Sequence, residues 1–321
     1  MKWFPLIIII SAIITTMEFV DQLRNLHEQI LFKGDLRVDS AFKNIVISGM
    51  GGSGIVGNIF SEIYSRKPVH VVSDYVLPEF ADKDTLFIGI SYSGNTEETI
   101  AALEEAEKRG CQIRLITSGG KLAASGHTSV KIPQNIQPRS AIGYMLKPLL
   151  SSFLNLPEET YLGISKLLEN VDKDNTEEKN LATEIFKHRS IPVILGYHPF
   201  RWAAYRWKTQ FNENSKIMAF SNYFPELNHN ETMPLKDTYE KDKFMFLAFD
   251  GSQNSRISKR MNVTAEITGT KFHVIKIKGS NLLEQLFYLI HYGDYVSYHL
   301  AGLRGIDPND VSLIESLKKK I

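Results

Sequence analysis

The fold is decided by Asn44-Ile45-Val46-Ile47-Ser48-Gly49-Met50-Gly51-Gly52-Ser53-Gly54, an apolar run that ends in a glycine-rich loop. The arrangement returns in Thr85-Leu86-Phe87-Ile88-Gly89-Ile90-Ser91-Tyr92-Ser93-Gly94-Asn95-Thr96. Such apolar runs are typical of buried parallel strands. Each loop precedes a helical pattern, so unpaired N–H groups and the positive end of a helix dipole favour an anion there. The two loops therefore predict a phosphate site.

The side chains of both loops suit a phosphate ester. Glycine lets the backbone approach a ligand closely, and hydroxyl groups add donors without adding charge. The second loop could be an ordinary helix N-cap with acidic residues in the first turn, but it carries more hydroxyls than capping requires. The candidate phosphate-binding residues are Gly52, Ser53, Ser91, Ser93 and Thr96.

A nucleotide is the rival ligand for the first loop. Gly49, Gly51 and Gly54 also fit the G-x-G-x-x-G dinucleotide fingerprint, and Asp74 follows about twenty residues later. The second loop weighs against this alternative, since a dinucleotide site does not need a dense cluster of Ser and Thr after another strand.

Length, charge and cysteine content narrow the class of protein. The chain has 321 residues, 43% of them hydrophobic, and a net charge of +1. Two domains with a sizeable core are expected, with a small-molecule ligand rather than nucleic acid or a membrane surface. Because Cys111 is the single cysteine, internal disulfides and a multi-cysteine zinc site are excluded.

Residues 1–16 form an apolar leader. The run from Leu6 to Ile14 is too short for a standard membrane-spanning helix, and no convincing cleavage site follows it. We expect the native chain to begin at Met17 and the protein to be cytoplasmic.

The remaining sequence predicts an α/β fold with two similar halves. Strand and helix patterns alternate in residues 17–150 and again in residues 190–300, which indicates two parallel sheets flanked by helices. Residues 151–189 are expected to form a helical connector. Residues 301–321 are expected to form a C-terminal helix that closes the site. A single amphipathic helix is expected over residues 17–33.

Several segments resemble a known family. Gly51-Gly52-Ser53-Gly54 and residues 91–99 are similar to the sugar isomerase (SIS) domain. Further similarity lies in Pro138-Arg139-Ser140-Ala141, Asn212-Glu213-Asn214-Ser215-Lys216, Pro225-Glu226-Leu227-Asn228-His229-Asn230-Glu231 and Gly305-Ile306-Asp307-Pro308 with Leu317-Lys318. Together these segments resemble the bifunctional phosphoglucose/phosphomannose isomerases, from about Met17 to the C-terminus.

The resemblance implies an aldose–ketose isomerase. Glucose 6-phosphate, and also mannose 6-phosphate, would be converted to fructose 6-phosphate through a cis-enediol intermediate. The substrate would be a sugar 6-phosphate, no metal or organic cofactor is implied, and the protein would be a homodimer. Such chemistry needs a base for the carbon-bound proton, an acid/base for ring opening, and positive charge beside the enediolate oxygen.

The resemblance also assigns four catalytic roles. Glu213 would be the base that moves a proton between C1 and C2. His229 would open the sugar ring, within one chain or across a dimer interface. Arg139 would stabilise the enediolate, and Lys318 of the last helix would lie in the site. From residue type alone, each of these side chains could instead be an ordinary surface or turn residue.

One position departs from the family pattern. Members can carry a threonine seven residues before the lysine, associated with accepting both C2 epimers, whereas this chain has Val311. The departure bears on glucose/mannose specificity and not on the isomerase step. Alternative functions are a non-catalytic sugar-phosphate-binding module and a nucleotide-dependent dehydrogenase. Glucosamine 6-phosphate synthesis is disfavoured because the sequence lacks a glutamine-hydrolysing domain.

Overall fold

The computed structural model describes residues 18–39, 41–318 and 320. The predictions for the leader, residues 1–16, and for Met17 as the native start lie outside the described residues. Within them the chain forms two parallel sheets, so the predicted α/β class with one sheet in each half is confirmed.

The first sheet has five strands in the order β2-β1-β3-β4-β5, and all neighbours are parallel. Its central strand β3 is buried along its whole length, as expected when helices cover both faces. The strands are β1 (Asn44–Ser48), β2 (Val69–Val72), β3 (Thr85–Ser91), β4 (Gln112–Thr117) and β5 (Ser129–Lys131).

The second sheet has four parallel strands in the order β7-β6-β8-β9. They are β6 (Ile191–Tyr197), β7 (Phe220–Phe224), β8 (Phe244–Phe249) and β9 (His273–Ile275). The apolar runs Ile191 to Gly196, Phe244 to Phe249 and Phe272 to Ile277 predict β6, β8 and β9, but no such run predicts β7. The polar Ser221 and Asn222 interrupt its apolar pattern, which an edge strand tolerates because one side of it is not covered by a neighbouring strand.

Helices cover the sheets and connect the two halves. Those before the second sheet are α1 (Phe19–Arg24), α2 (Leu26–Gln29), α3 (Gly51–Ile63), α4 (Glu97–Lys108), α5 (Gly120–Ala124), α6 (Ile142–Phe153), α7 (Glu158–Lys173) and α8 (Thr176–His188). The helices that follow β6 are α9 (Arg201–Glu213), α10 (Thr232–Lys236), α11 (Ser255–Thr268), α12 (Leu282–Leu303) and α13 (Ser312–Lys318). Short 3-10 turns lie at Pro138–Ala141, Glu226–His229 and Lys241–Lys243.

The single helix predicted over residues 17–33 is wrong. The structure has two short helices, α1 and α2, which separate at Asn25. Asn is a weak helix former because its side chain competes for local hydrogen bonds, and here it donates to the Glu28 carboxylate at 2.6 Å. Tertiary contacts continue the segment beyond that point, since the Gln29 amide donates to the Ser140 carbonyl oxygen at 2.8 Å.

Helix α12 is the longest of the described helices. It packs on α7 and α8, which precede the second sheet, and on α9, which follows the first strand of that sheet. Its buried side chains include several tyrosines, whose rings pack on one another and on Trp207. None of the described helices combines the length and apolar character needed to cross a membrane.

Candidate active site

The two glycine-rich loops lie side by side at one edge of the first sheet. Strands β1 and β3 are parallel neighbours, so the loop that opens α3 and the loop that opens α4 both follow carboxyl ends of strands. The two loops are closely packed, because a Cβ atom added to Gly49 would lie 3.0 Å from the Ile90 carbonyl oxygen. Sheets of this kind bind ligands at this edge.

The second loop is held in shape by its own hydroxyl groups. Ser91 Oγ lies 2.8 Å from Thr96 Oγ1 and accepts the Gly94 N–H at 3.1 Å. Ser93 Oγ accepts the Asn95 N–H at 3.2 Å. Ser91 is buried, whereas Ser93 is exposed at the loop surface. The candidate phosphate donors are therefore fixed before any ligand arrives.

The first loop contacts the segment that carries Arg139. A Cβ atom added to Gly52 would lie 3.5 Å from the Arg139 Cα atom and 3.7 Å from the Pro138 carbonyl oxygen. Ser53, in the first turn of α3, is buried and its hydroxyl lies 3.4 Å from the Met145 sulfur. The predicted phosphate loop therefore lies directly beside the main chain of Arg139.

Arg139 is a buried cation with fixed geometry. Its side chain is 5% exposed, its Nε donates to Asn214 Oδ1 at 2.8 Å, and its Nη2 donates to the Pro308 carbonyl oxygen at 2.5 Å. Nη1 lies 3.5 Å from Glu213 Oε2. Burial lowers the pKa of Arg139, but a guanidinium stays protonated in proteins. The site therefore contains a permanent positive charge beside a carboxylate.

A buried ion pair binds the main chain of Arg139. Arg206 Nη2 lies 2.7 Å from Asp294 Oδ2 and also donates to the Arg139 carbonyl oxygen at 2.9 Å. Gln210 donates to Asp294 Oδ1 at 2.8 Å. Sequence reasoning missed these three residues. A carboxylate in the middle of the apolar α12 was the available signal, since buried carboxylates are rare unless they are paired.

Glu213 lies at the end of α9 on a loop whose neighbours are fixed. Asn214 and Ser215 are fully buried, and both bond to Ser297 of α12: Asn214 Nδ2 to its hydroxyl at 2.9 Å, and Ser215 Oγ to its carbonyl oxygen at 2.7 Å. The Glu213 side chain keeps 32% of its surface exposed. A carboxylate that is accessible on a rigid support can accept and return a substrate proton.

The structure does not bring His229 to Glu213 within one chain. Helix α9 starts after the carboxyl end of β6 and runs back for 13 residues, about 20 Å, to Glu213. Strand β7 is parallel to β6, so His229, just after it, lies at the opposite end of the sheet. The side chain of His229 is exposed.

Lys318 ends α13 with an exposed side chain. Among the described residues it forms no hydrogen bond or ion pair with Arg139 or Glu213. Of the sequence-predicted site residues, the two phosphate loops, Arg139 and Glu213 are brought together, whereas His229 and Lys318 are not.

Comparisons with known proteins agree with this architecture. Residues 40–155 match the family described as "SIS domain", and residues 174–321 match "Bacterial phospho-glucose isomerase C-terminal SIS domain". Among solved structures, glucosamine-6-phosphate deaminase from Thermotoga maritima superposes with a TM-score of 0.69 at 17% identity, covering 91% of this chain and 95% of that one. The fold and the loops together define a protein of the SIS class.

Sequence relatives narrow the class further. The chain is 57% identical to the bifunctional phosphoglucose/phosphomannose isomerase of Thermoplasma acidophilum, covering 95% of this chain and 98% of that protein. It is 38% identical to the protein of the same name from Aquifex aeolicus, covering 87% of this chain and 91% of that protein. The chain belongs to the bifunctional phosphoglucose/phosphomannose isomerase family. The predicted family and the predicted isomerase are confirmed, and the relatives favour them over the two alternative functions.

Proposed function

We propose that this protein converts glucose 6-phosphate, and mannose 6-phosphate, to fructose 6-phosphate and back through a cis-enediol intermediate. The names of its relatives supply the substrates. The observation that carries the proposal is the pairing of Glu213 with Arg139 at 3.5 Å, beside the glycine loop at Gly52. Base, cation and anion-binding loop are the parts that the reaction needs.

Each part has one chemical task. The phosphate binds the backbone N–H groups and hydroxyls of the residues proposed for it, Gly52, Ser53, Ser91, Ser93 and Thr96. Glu213 takes a proton from one of the first two sugar carbons and returns it to the other. Arg139 faces the oxygen on which negative charge develops and stabilises the enediolate there. Its fixed hydrogen bonds support this role, because little reorganisation is then needed during the reaction.

Ring opening is assigned to His229 of a second subunit. An imidazole exchanges protons near neutral pH, and the separation of His229 from Glu213 within one chain supports a shared site in a homodimer. The segment 301–321, predicted as one helix that closes the site, contains the end of α12 and the short helix α13, and Lys318 is proposed to reach the site from α13. The subdomain division into residues 17–150, 151–189 and 190–300 and a cytoplasmic location belong to the same proposal.

Turnover of the pure protein tests the proposal directly. The protein is incubated separately with glucose 6-phosphate and with mannose 6-phosphate, each with and without a chelator, and fructose 6-phosphate is measured. We expect product from both sugars and no effect of the chelator, with mannose 6-phosphate the slower substrate because Val311 replaces the family threonine. Absence of fructose 6-phosphate from either sugar would refute the proposed function, and loss of turnover with chelator would refute the metal-free mechanism.

A further inference from the structure

Lys216 is a charged residue at the site to which no role has been assigned. It lies three residues after Glu213, and its Nζ donates to the Glu213 carbonyl oxygen at 2.5 Å. The same Nζ lies 3.4 Å from the carbonyl oxygen of Asp307. One ammonium group therefore touches both the end of α9 and the distant segment that precedes α13.

The backbone of Lys216 is in an unfavourable conformation. Its φ is +53°, in the left-handed region that side chains other than glycine rarely adopt. Such strain persists only where the surrounding structure holds it, and it concentrates at functional sites. Here the conformation turns the lysine back toward the last turn of α9, where carbonyl groups lack helical partners.

Lys216 is one of three cations that join the C-terminal segment to the Glu213 loop. Arg304, at the end of α12, donates to the carbonyl oxygens of Ser215 and Lys216, the latter at 3.0 Å. Arg139 donates to the Pro308 carbonyl oxygen. Capping of a helix end explains the contact of Lys216 with the last residue of α9. Capping does not explain the contact of Lys216 with Asp307.

Charge at Lys216 is balanced between the groups that surround it. Burial and the neighbouring Arg139 lower the pKa of Lys216, while Asp310, Asp307 and Glu213 act in the opposite direction. Lys216 therefore also interacts electrostatically with the carboxylate that Arg139 faces.

We infer that Lys216 is a positioning residue for the isomerisation. Its ammonium group fixes the main chain of Glu213 against residues 304–310 and keeps positive charge beside the base. The inference rests on the proposed function of Glu213 as that base. It concerns the geometry and charge of the base, and not contact with the sugar.

Kinetics of Lys216→Met, Lys216→Arg and the wild type test the inference. Lys216→Met keeps the aliphatic stem but lacks the charge, so we expect kcat to fall about tenfold or more with KM changed less than about twofold. Lys216→Arg, which keeps the charge, should recover most of the lost kcat. Lys166→Met, at an exposed lysine of α7, is the matched control.

Two further measurements separate this role from a structural one. Lys216→Gly relieves the strained backbone without a cation, and we expect it to be as slow as Lys216→Met although at least as stable. Hydrogen exchange of residues 304–310 should be faster in Lys216→Met than in the wild type. Wild-type kcat and wild-type exchange in Lys216→Met would overturn the inference. If the wild type has no turnover, the proposed function is refuted instead. The hydrogen exchange of residues 304–310 would then be the measurement that tests the positioning role.

Discussion

At the scale of single residues, the candidate site depends on what surrounds Arg139. Its guanidinium is bound by an amide and a carbonyl, and its own carbonyl is bound by Arg206, so neither end of the residue is free to move. Glu213 differs, since its carboxylate lies 3.5 Å from Arg139 and the side chain is partly exposed. A fixed cation and an accessible base suit proton transfer between two neighbouring carbons.

Glu213→Gln is expected to abolish most turnover and to leave the fold intact. An amide cannot act as a base, so kcat should fall by about 10² to 10⁴. The free energy of unfolding should change by less than about 1 kcal/mol, because the side chain is partly exposed and its loop is held by Asn214 and Ser215. Urea unfolding and steady-state kinetics measure the two effects.

Glu159→Gln, at an exposed carboxylate of α7, is the control for this substitution. It should match the wild type in both measurements. A Glu213→Gln enzyme that keeps more than about a tenth of the wild-type kcat would remove Glu213 from the mechanism.

The sequence allowed prediction of only part of the site. Arg139, Glu213 and the phosphate loops belong to short motifs that a resemblance can find. The pair of Arg206 and Asp294 does not, because its members lie 88 positions apart and meet only when α9 packs on α12. Lys216 lies inside a recognised motif, but its contact with Asp307 depends on the tertiary path of the C-terminal segment.

At the scale of structural elements, the tight loop before α4 requires glycine. Gly94 has a φ of +68°, and an added Cβ atom would lie 1.8 Å from the Gly119 carbonyl oxygen. The loop before α5 therefore occupies the space where a side chain would project. This packing couples the second phosphate loop to the neighbouring strand β4.

Gly94→Ala is expected to lower the free energy of unfolding by about 2–4 kcal/mol, because the backbone must move to relieve the contact. Gly126→Ala is the control, since Gly126 also has a positive φ, +84°, but has no atom within 4 Å of an added Cβ. It should lose only about 1 kcal/mol. Urea unfolding compares the two, and equal losses would show that conformation alone, without the close packing, sets the requirement.

The contact between α8 and α12 buries a carboxyl group and makes stability depend on pH. Burial raises the pKa of Glu178 from its ordinary value of 4.5 to about 7. The folded protein therefore holds this proton more tightly than the unfolded chain. It follows that the group lowers the free energy of unfolding progressively as pH rises from about 4.5 to about 7.

Glu178→Gln should remove this dependence. The free energy of unfolding of the variant minus that of the wild type is expected to be larger at pH 8 than at pH 5. The increase should be on the order of 2 kcal/mol. Urea unfolding at the two pH values measures it, with Glu104→Gln at an exposed position of α4 as the control. Burial also raises the pKa of Glu62 to about 7. Because the wild type and both variants keep Glu62, its contribution cancels in the comparison. An unchanged pH dependence in Glu178→Gln would contradict the prediction.

Apolar runs predicted most strands and the long helices because burial dominates their sequences. Strand β7 was not predicted because its position at the edge of the sheet permits polar residues.

The break between α1 and α2 was not predicted for a different reason. The apolar spacing of residues 17–33 continues through Asn25. The Gln29 amide, however, donates to the Ser140 carbonyl oxygen and accepts the Gly143 N–H, and both partners lie more than a hundred positions away.

At the scale of the whole molecule, the proposed site needs two copies of the chain. Mixing Glu213→Gln with His229→Ala subunits tests this. Both homodimers should be inactive, but each heterodimer combines one intact Glu213 with an intact His229 from the other chain. Random exchange should then restore about a quarter of the wild-type activity.

The measurement is the isomerase rate after the two variants are unfolded together and refolded. Separate refolding of each variant, with mixing afterwards on ice, is the control and should give no activity. Activity that stays absent after joint refolding, although dimers form, would place the whole site within one chain.

The hydrogen bond from Arg206 to the Arg139 carbonyl oxygen crosses from one half of the chain to the other. Asp294 of α12 binds the same guanidinium, so α12, α9 and the turn that carries Arg139 share one hydrogen-bonded network. Losing the first half would remove the carbonyl acceptor of Arg206, and losing the second half would leave the Arg139 guanidinium without Asn214 and Glu213. The two halves are thus bound to melt as one cooperative unit, although each carries a sheet of its own.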